Sequence, residues 1–250
     1  MSETLAARFA RARVADGELA VLEGFHALKH ALRFGAEVEA VAAVDVEALE
    51  AMADALAPDL RGRFRALATP VSQAELGSLV PRVPRTGVVA LARRPAFDPA
   101  ALAGAPIVLL EDPRDLGNVG AVVRVAAAAD AAAVLVSGAL DPWDPAALRG
   151  SAGLHYALPV ARAEAFESAG RPLLALDPDG GPLDPAALPA NAVLAFGTER
   201  HGLSDALLTR ADARLRIPMR EGVSSLNLAT SVAAVLFGWR LTRARIDDVR

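Results

Sequence analysis

The sequence predicts an α/β protein whose larger part is a parallel sheet covered by helices. Three observations carry that expectation. Short apolar runs of strand length alternate along the chain with longer runs of helical length. Several of the short runs, among them Ile107–Leu110, Ala133–Val136 and Val193–Phe196, are apolar at every position, as strands buried on both faces must be. The stretch ARRPAFDPAALAGAP, with three prolines and little periodicity, separates one alternation from the next and reads as a linker.

In the first alternation, residues 2–13 form a short amphipathic helix with its charges to one side. Glu18–Leu22 is a strand, and Phe25–Phe34 a helix ended by Gly35. Val38–Val44 is the second strand; Val46–Leu56 is a helix stopped by Pro58. Phe64–Ala68 is expected as a third strand, Ser72–Leu79 as a short helix and Val88–Leu91 as a fourth strand.

The second alternation opens with the strand Ile107–Leu110. A helix over Val119–Ala129, a strand over Ala133–Val136 and a helical turn over Pro145–Arg149 come next. Ala163–Ala169 is expected as a helix, with strands at Pro172–Leu176 and Val193–Phe196. Leu203–Arg210 is a helix, Arg214–Ile217 a strand, and Leu226–Trp239 a last, Ala/Val/Leu-rich helix. The expected organisation is a small α/β domain over 1–95, a linker over 96–105 and a larger α/β domain over 106–250.

Composition narrows the function classes. With 53% hydrophobic and 22% charged residues, the chain is a folded protein with an ample core. There is no cysteine, which excludes a disulfide framework, a thiolate zinc site and a cysteine nucleophile. The four histidines are scattered without metal-ligand spacing. No stretch is long and apolar enough for a bilayer, and the start, MSETLAARFARARVADGE, lacks the apolar centre of a secretion signal. The expectation is a cytoplasmic protein with no membrane partner. The net charge of −4 is not that of a generally basic nucleic-acid binder, although such binding needs only a local basic face. All but one of the 26 basic residues are arginine, the exception being Lys29. Arginines cluster at 8, 11 and 13, at 61, 63 and 65, and at 82, 85, 93 and 94, as solvated surface or as phosphate contacts.

In a parallel sheet, ligands sit beyond the carboxyl ends of the strands, so the loops there matter most. One runs Glu111-Asp112-Pro113-Arg114-Asp115-Leu116-Gly117-Asn118-Val119-Gly120 and leads to Arg124. Another is Gly197-Thr198-Glu199-Arg200-His201-Gly202-Leu203-Ser204, with an acid between two glycines. The third is the polar loop from Arg220 to Ser225, which follows the apolar piece Leu215–Met219 and, with Asn227, presents hydroxyls, an amide and free backbone N–H groups where the last helix starts. Taken singly, each is also what a βα turn or an ordinary N-cap would use. None has the spacing of a dinucleotide fingerprint or a P-loop.

Taken together and in order, the three loops resemble the motifs of the SpoU (TrmH-like) family of RNA 2′-O-ribose methyltransferases, of the SPOUT superfamily. The matching residues are Asn118-x-Gly120-Ala121 with Arg124, then Gly197-x-Glu199-x-x-Gly202-Leu203, then Ile217-Pro218-Met219 followed by Ser225-Leu226-Asn227. Between them, Ala147-Leu148-Arg149-Gly150-Ser151-Ala152-Gly153 and Leu158-Pro159-Val160 resemble the family's short helix and next strand. The resemblance spans about residues 104–245. A weaker one over 18–95 rests on Val21-Leu22-Glu23-Gly24-Phe25, which resembles the start of the family's L30e-like RNA-binding domain.

The resemblance implies a C-terminal SPOUT trefoil-knot domain with a parallel sheet, preceded by a small L30e-like α/β domain, in a homodimer. It implies S-adenosylmethionine as cofactor and S-adenosylhomocysteine as product. Phe196, Gly197, Thr198, Glu199, Gly202, Ile217, Met219, Ser225 and Leu226 would bind the cofactor, and no metal is called for. Asn118, Arg124, Glu199, Ser225 and Asn227 would surround the reacting ribose hydroxyl. An arginine is a poor base, with a pKa above about 12, so guiding the phosphate or acidifying the hydroxyl is Arg124's milder role. The implied substrate is RNA, ribosomal rather than transfer RNA. The alternatives are a non-catalytic RNA-binding or ribosome-assembly module of the same fold and, from a different class, a nucleotide-binding oxidoreductase of ordinary doubly wound fold.

Overall fold

A computed structural model describes residues 3–13, 17–102, 104–165, 170–198 and 201–247. The chain divides into two compact units, Met1–Ala96 with Trp143–Ala157, and Phe97–Pro142 with Leu158–Arg250.

The first unit begins with α1 (Leu5–Arg11), β1 (Leu19–Glu23), α2 (Phe25–Arg33), β2 (Val38–Ala43) and α3 (Val46–Leu56). It continues through α4 (Arg63–Leu67), β3 (Ala68–Pro70), α5 (Gln73–Leu79) and β4 (Val88–Arg93). The strands form one mixed sheet in the order β1-β4-β2-β3, in which only β2 and β3 run parallel. Phe9, Leu19, Val21, Leu76 and Leu91 pack together in its core. Elsewhere in the unit Phe25 stacks on Phe64 with ring centres 5.2 Å apart.

Most elements fall where the apolar periodicity places them, and the exceptions have physical causes. The stretch expected as a strand over Phe64–Ala68 is instead the helix α4, and the strand β3 starts only at Ala68. Gly62, at φ 77°, turns the chain into that helix, and burial of Phe64 against Phe25 holds it there. Five residues with one buried position read the same in either period. Ser72 lies outside α5 as its cap: the Ser72 hydroxyl accepts from the Glu75 N–H, and the Glu75 carboxylate accepts from the Ser72 N–H.

The second unit contains β5 (Ile107–Leu110), α6 (Leu116–Ala128) and β6 (Ala133–Val136). After α7 (Pro145–Gly150), which packs with the first unit, come β7 (Val160–Arg162), β8 (Leu173–Pro182) and β9 (Val193–Phe196). The chain finishes with α8 (Asp205–Arg210), β10 (Ala213–Arg216) and α9 (Leu228–Asp247). Its six strands are all parallel, in the order β10-β8-β9-β5-β6-β7. Ile107, Leu135, Val193 and Ala195 belong to one core cluster with Leu203 and Leu207. The alternate residues Val108, Val134, Leu194 and Phe196 are equally buried, so both faces of the sheet are covered.

Helix α6 starts at Leu116, three residues earlier than the apolar pattern suggests, because the Asp115 carboxylate caps it by accepting from the Asn118 N–H at 2.7 Å. Ser204 caps α8 in the same way, through the Leu207 N–H. Strand β8 runs on to Pro182 instead of ending at Leu176, and α9 continues to Asp247. At Ala163–Ala165 there is a 3₁₀ turn; the remainder of the helix expected there, 166–169, lies outside the described residues. Among the described residues no helix is long and apolar enough to cross a membrane.

The segment Trp143–Ala157 is bound tightly into the first unit. The Arg149 guanidinium pairs with the buried Glu23 carboxylate, and the His30 Nδ1–H donates to the Ala152 carbonyl at 2.7 Å. Gly153, at φ 78°, lies so close to α2 that a Cβ there would be 2.5 Å from the Ala27 carbonyl oxygen.

Candidate functional site

Strands β9 and β10 end at one cavity of about 830 Å³, which the middle of β8 also lines, within the range of small-molecule sites in general. Its position beyond the carboxyl ends of parallel strands is where such sheets hold ligands.

The first wall follows β9 and comprises Phe196, Gly197, Thr198, Gly202 and Leu203. Thr198 and Gly202 exchange backbone hydrogen bonds at 3.0 and 2.9 Å, which closes the loop on itself. Only glycine fits at 197, because a Cβ there would be 2.0 Å from the Gly202 carbonyl carbon. Gly202 itself turns at φ +64°. Glu199, expected at this site, lies outside the described residues.

The second wall follows β10. Ile217 and Met219 line it, and the polar loop brings Ser225 and Leu226 to the same space. Asn227, immediately before α9, is the cap of that helix: its Oδ1 accepts from the Ala229 and Thr230 N–H groups at 2.9 and 3.4 Å. The third wall, Leu176–Asp179, was not singled out from sequence. Consecutive β10 residues Arg214 and Leu215 pair with Ala175 and Gly181, so residues 176–180 of β8 loop outward between them. Gly180 permits this, since a Cβ there would be 2.5 Å from the Arg214 and Leu215 backbone. The signal was present in Asp177-Pro178-Asp179-Gly180-Gly181, a turn-rich run directly after an apolar strand.

Thus Phe196, Gly197, Thr198, Gly202, Ile217, Met219, Ser225 and Leu226 all line one cavity. Asn118 and Asn227 do not line it, but they meet, the Asn227 Nδ2 donating to the Asn118 Oδ1 at 3.1 Å. Arg124 is exposed on α6 and is not part of the lining. Four acidic residues, Asp177, Asp179, Asp205 and Glu221, are among those that line the cavity, with Arg216 and Arg220. An apolar floor, backbone donors and acceptors and an excess of carboxylate together suit a partly apolar ligand that carries positive charge.

Many of the arginines grouped in the sequence are engaged by carboxylates or carbonyls of the first unit. Arg8 pairs with Glu39, Arg11 with Glu3, Arg61 with Asp54, Arg65 with Glu47, and Arg93 with Glu37 and Glu39. Arg13, Arg63 and Arg94 donate to the Leu79, Leu32 and Leu19 carbonyls. Arg82 and Arg85 are exposed in the loop before β4.

Residues 105–237, just over half of the chain, match the family described as the SpoU rRNA Methylase family. A 23S rRNA (uridine(2479)-2′-O)-methyltransferase of Streptomyces viridochromogenes is 34% identical over 144 residues, covering 52% of this chain and 50% of that protein. The chain spans about half the length of the curated relatives it matches. The crystal structure of the SpoU methyltransferase AviRb from Streptomyces viridochromogenes in complex with the cofactor AdoMet superposes with a TM-score of 0.73 at 26% identity, covering 96% of this chain and 98% of that one. An AdoMet-bound rRNA methyltransferase from Sinorhizobium meliloti is similar, with a TM-score of 0.70, 27% identity and coverage of 90% and 87%.

Proposed function

Because this chain belongs to the SpoU rRNA methylase family, we propose that it transfers the methyl group of S-adenosylmethionine to a ribose 2′-hydroxyl of RNA, ribosomal RNA in preference to transfer RNA. The observation that carries the reading is the convergence of the β9 and β10 loops, the two that would hold the cofactor, on a single cavity. The names of the relatives favour ribosomal RNA.

The residues fit such a cofactor. Gly197 and Gly202 bring backbone close to the cavity, Ile217, Met219 and Leu226 give it apolar surface, and its carboxylates suit a sulfonium cation. The cofactor supplies an activated methyl group. Displacement of that methyl group by the ribose oxygen would leave S-adenosylhomocysteine as the product. This displacement needs the hydroxyl held close and in line. Arg124 is assigned to the neighbouring phosphate and to lowering the hydroxyl's pKa, since a guanidinium does not give up its own proton. Ser225 faces the cavity; Asn118 and Asn227 hold the start of α9 and the first turn of α6 together. Glu199 is assigned to orienting Arg124 or the ribose.

On this reading residues 1–95 are the L30e-like RNA-binding domain and residues 106–250 the knotted SPOUT domain. The homodimer assignment draws on α9. Thr230, Ala234, Phe237, Leu241 and Ala244 are all exposed on it at alternating spacings of four and three, a stripe of small and apolar side chains suited to a second copy. The site of action would be the cytoplasm.

The test is transfer of label from S-adenosylmethionine to total RNA taken from a strain lacking this protein. Label is expected in ribosomal RNA and is expected to vanish with Arg124→Ala. RNA binding without any transfer, unaffected by Arg124→Ala, would support the non-catalytic module instead.

A further inference from the structure

We propose that Glu111 is a positioning residue that holds both ends of the β9 loop and thereby sets cofactor affinity without touching the cofactor. The inference rests on the cofactor assignment above. Glu111 is the first residue beyond β5, and its N–H donates to the carbonyl of Phe196, the last residue of β9, at 2.9 Å. Its carboxylate reaches the far end of the same loop, accepting from the Ser204 N–H at 2.7 Å and the Ser204 hydroxyl at 2.6 Å. Two hydrogen bonds to one carboxylate, one from backbone, are charge-assisted and directional. Ser204 is itself fixed as the cap of α8, its hydroxyl accepting from the Leu207 N–H at 3.2 Å. Phe196 and Ser204, which flank the β9 loop, are therefore both tied to one residue just beyond β5.

That arrangement gives the β5 loop a role the cavity lining hides. Nothing between Glu111 and Arg124 lines the cavity, yet Glu111 clips the first wall and Asn118 meets Asn227 at the start of α9, behind the second. The loop that leads to Arg124 thus braces both loops assigned to the cofactor.

The experiment measures S-adenosylmethionine binding by calorimetry, and methyl transfer at saturating and limiting cofactor, for wild type, Glu111→Ala, Glu111→Gln and Ser204→Ala. Loss of bonds to a charged acceptor predicts a Kd raised about tenfold or more in Glu111→Ala. Turnover at saturating cofactor should stay within about twofold of wild type. Glu111→Gln keeps one acceptor oxygen and should fall between the two. Ser204→Ala should weaken binding in the same direction, and the loss in the double variant should be smaller than the sum of the two single losses. Should Glu111→Ala fail to fold, Glu111→Gln and Ser204→Ala carry the test. Wild-type affinity in the folded variants, or turnover lost with Kd unchanged, overturns the proposal. A wild-type chain that binds no S-adenosylmethionine overturns the cofactor assignment itself.

Discussion

A methyl group added at Gly197 would occupy space already held by the Gly202 carbonyl carbon and, 2.3 Å away, the Leu203 nitrogen. Both are backbone atoms, so no side chain can swing aside and the loop itself must open. Gly197→Ala is expected to weaken S-adenosylmethionine binding by more than about tenfold, read by calorimetry, while circular dichroism stays that of the folded protein. His30 behaves differently, since its effect is on stability. Burial lowers its pKa below the usual 6.5, helped by Lys29, Arg33 and His26 and opposed by its bond to the Ala152 carbonyl. The unfolded chain therefore takes up this proton more readily than the folded one. The contribution of neutral His30 is fully present above pH 6.5 and declines as pH falls below it. Urea midpoints should drop between pH 7.5 and 5.5, and His30→Gln should flatten that drop. Residues of this kind differ in how well sequence announces them. Gly197 stands out between a strand and an acid, whereas the setting of His30 depends on Ala152, 122 positions away.

Strands β5, β6 and β9 were legible because four fully apolar residues in a row leave few other readings, and they have the bounds that the pattern gives. Helix starts were less legible, because side-chain caps set them: Asp115 moves α6 forward to Leu116, and Asn227 fixes α9 at Leu228. The β9 and β10 loops could be picked out by their glycines and hydroxyls. The outward loop of β8 could not, because its presence depends on how β10 pairs across it. Helix α7 and the turn after it give the sharpest test among the elements. Gly153→Ala combines a positive φ with a Cβ 2.5 Å from the Ala27 carbonyl oxygen and 2.7 Å from its α-carbon. A loss on the order of 2–3 kcal/mol is expected, measured by denaturant unfolding. A change within about 0.5 kcal/mol, typical of an unconstrained surface site, would mean that the segment does not press on α2.

Assembly can be tested on α9, where Phe237 is 37% and Leu241 62% exposed. If the stripe is covered by a second copy, Leu241→Glu should shift the protein from dimer to monomer in sedimentation, because a carboxylate forced into an apolar contact costs several kcal/mol unless it finds a partner. An unchanged dimer would place the contact elsewhere. The division into two units was only partly foreseeable. A proline-rich boundary near residue 96 is visible in composition, but nothing local reveals that Trp143–Ala157 packs with residues from the start of the chain. That interleaving bears on how the protein comes into being. During synthesis residues 1–96 of the first unit emerge before any of the second, yet Glu23 lacks its arginine and Ala27 lacks Gly153 until about sixty further residues have left the ribosome after residue 96. Its maturation is thus deferred, and the nascent chain must carry the unfinished unit while the first strands of the other are already being made.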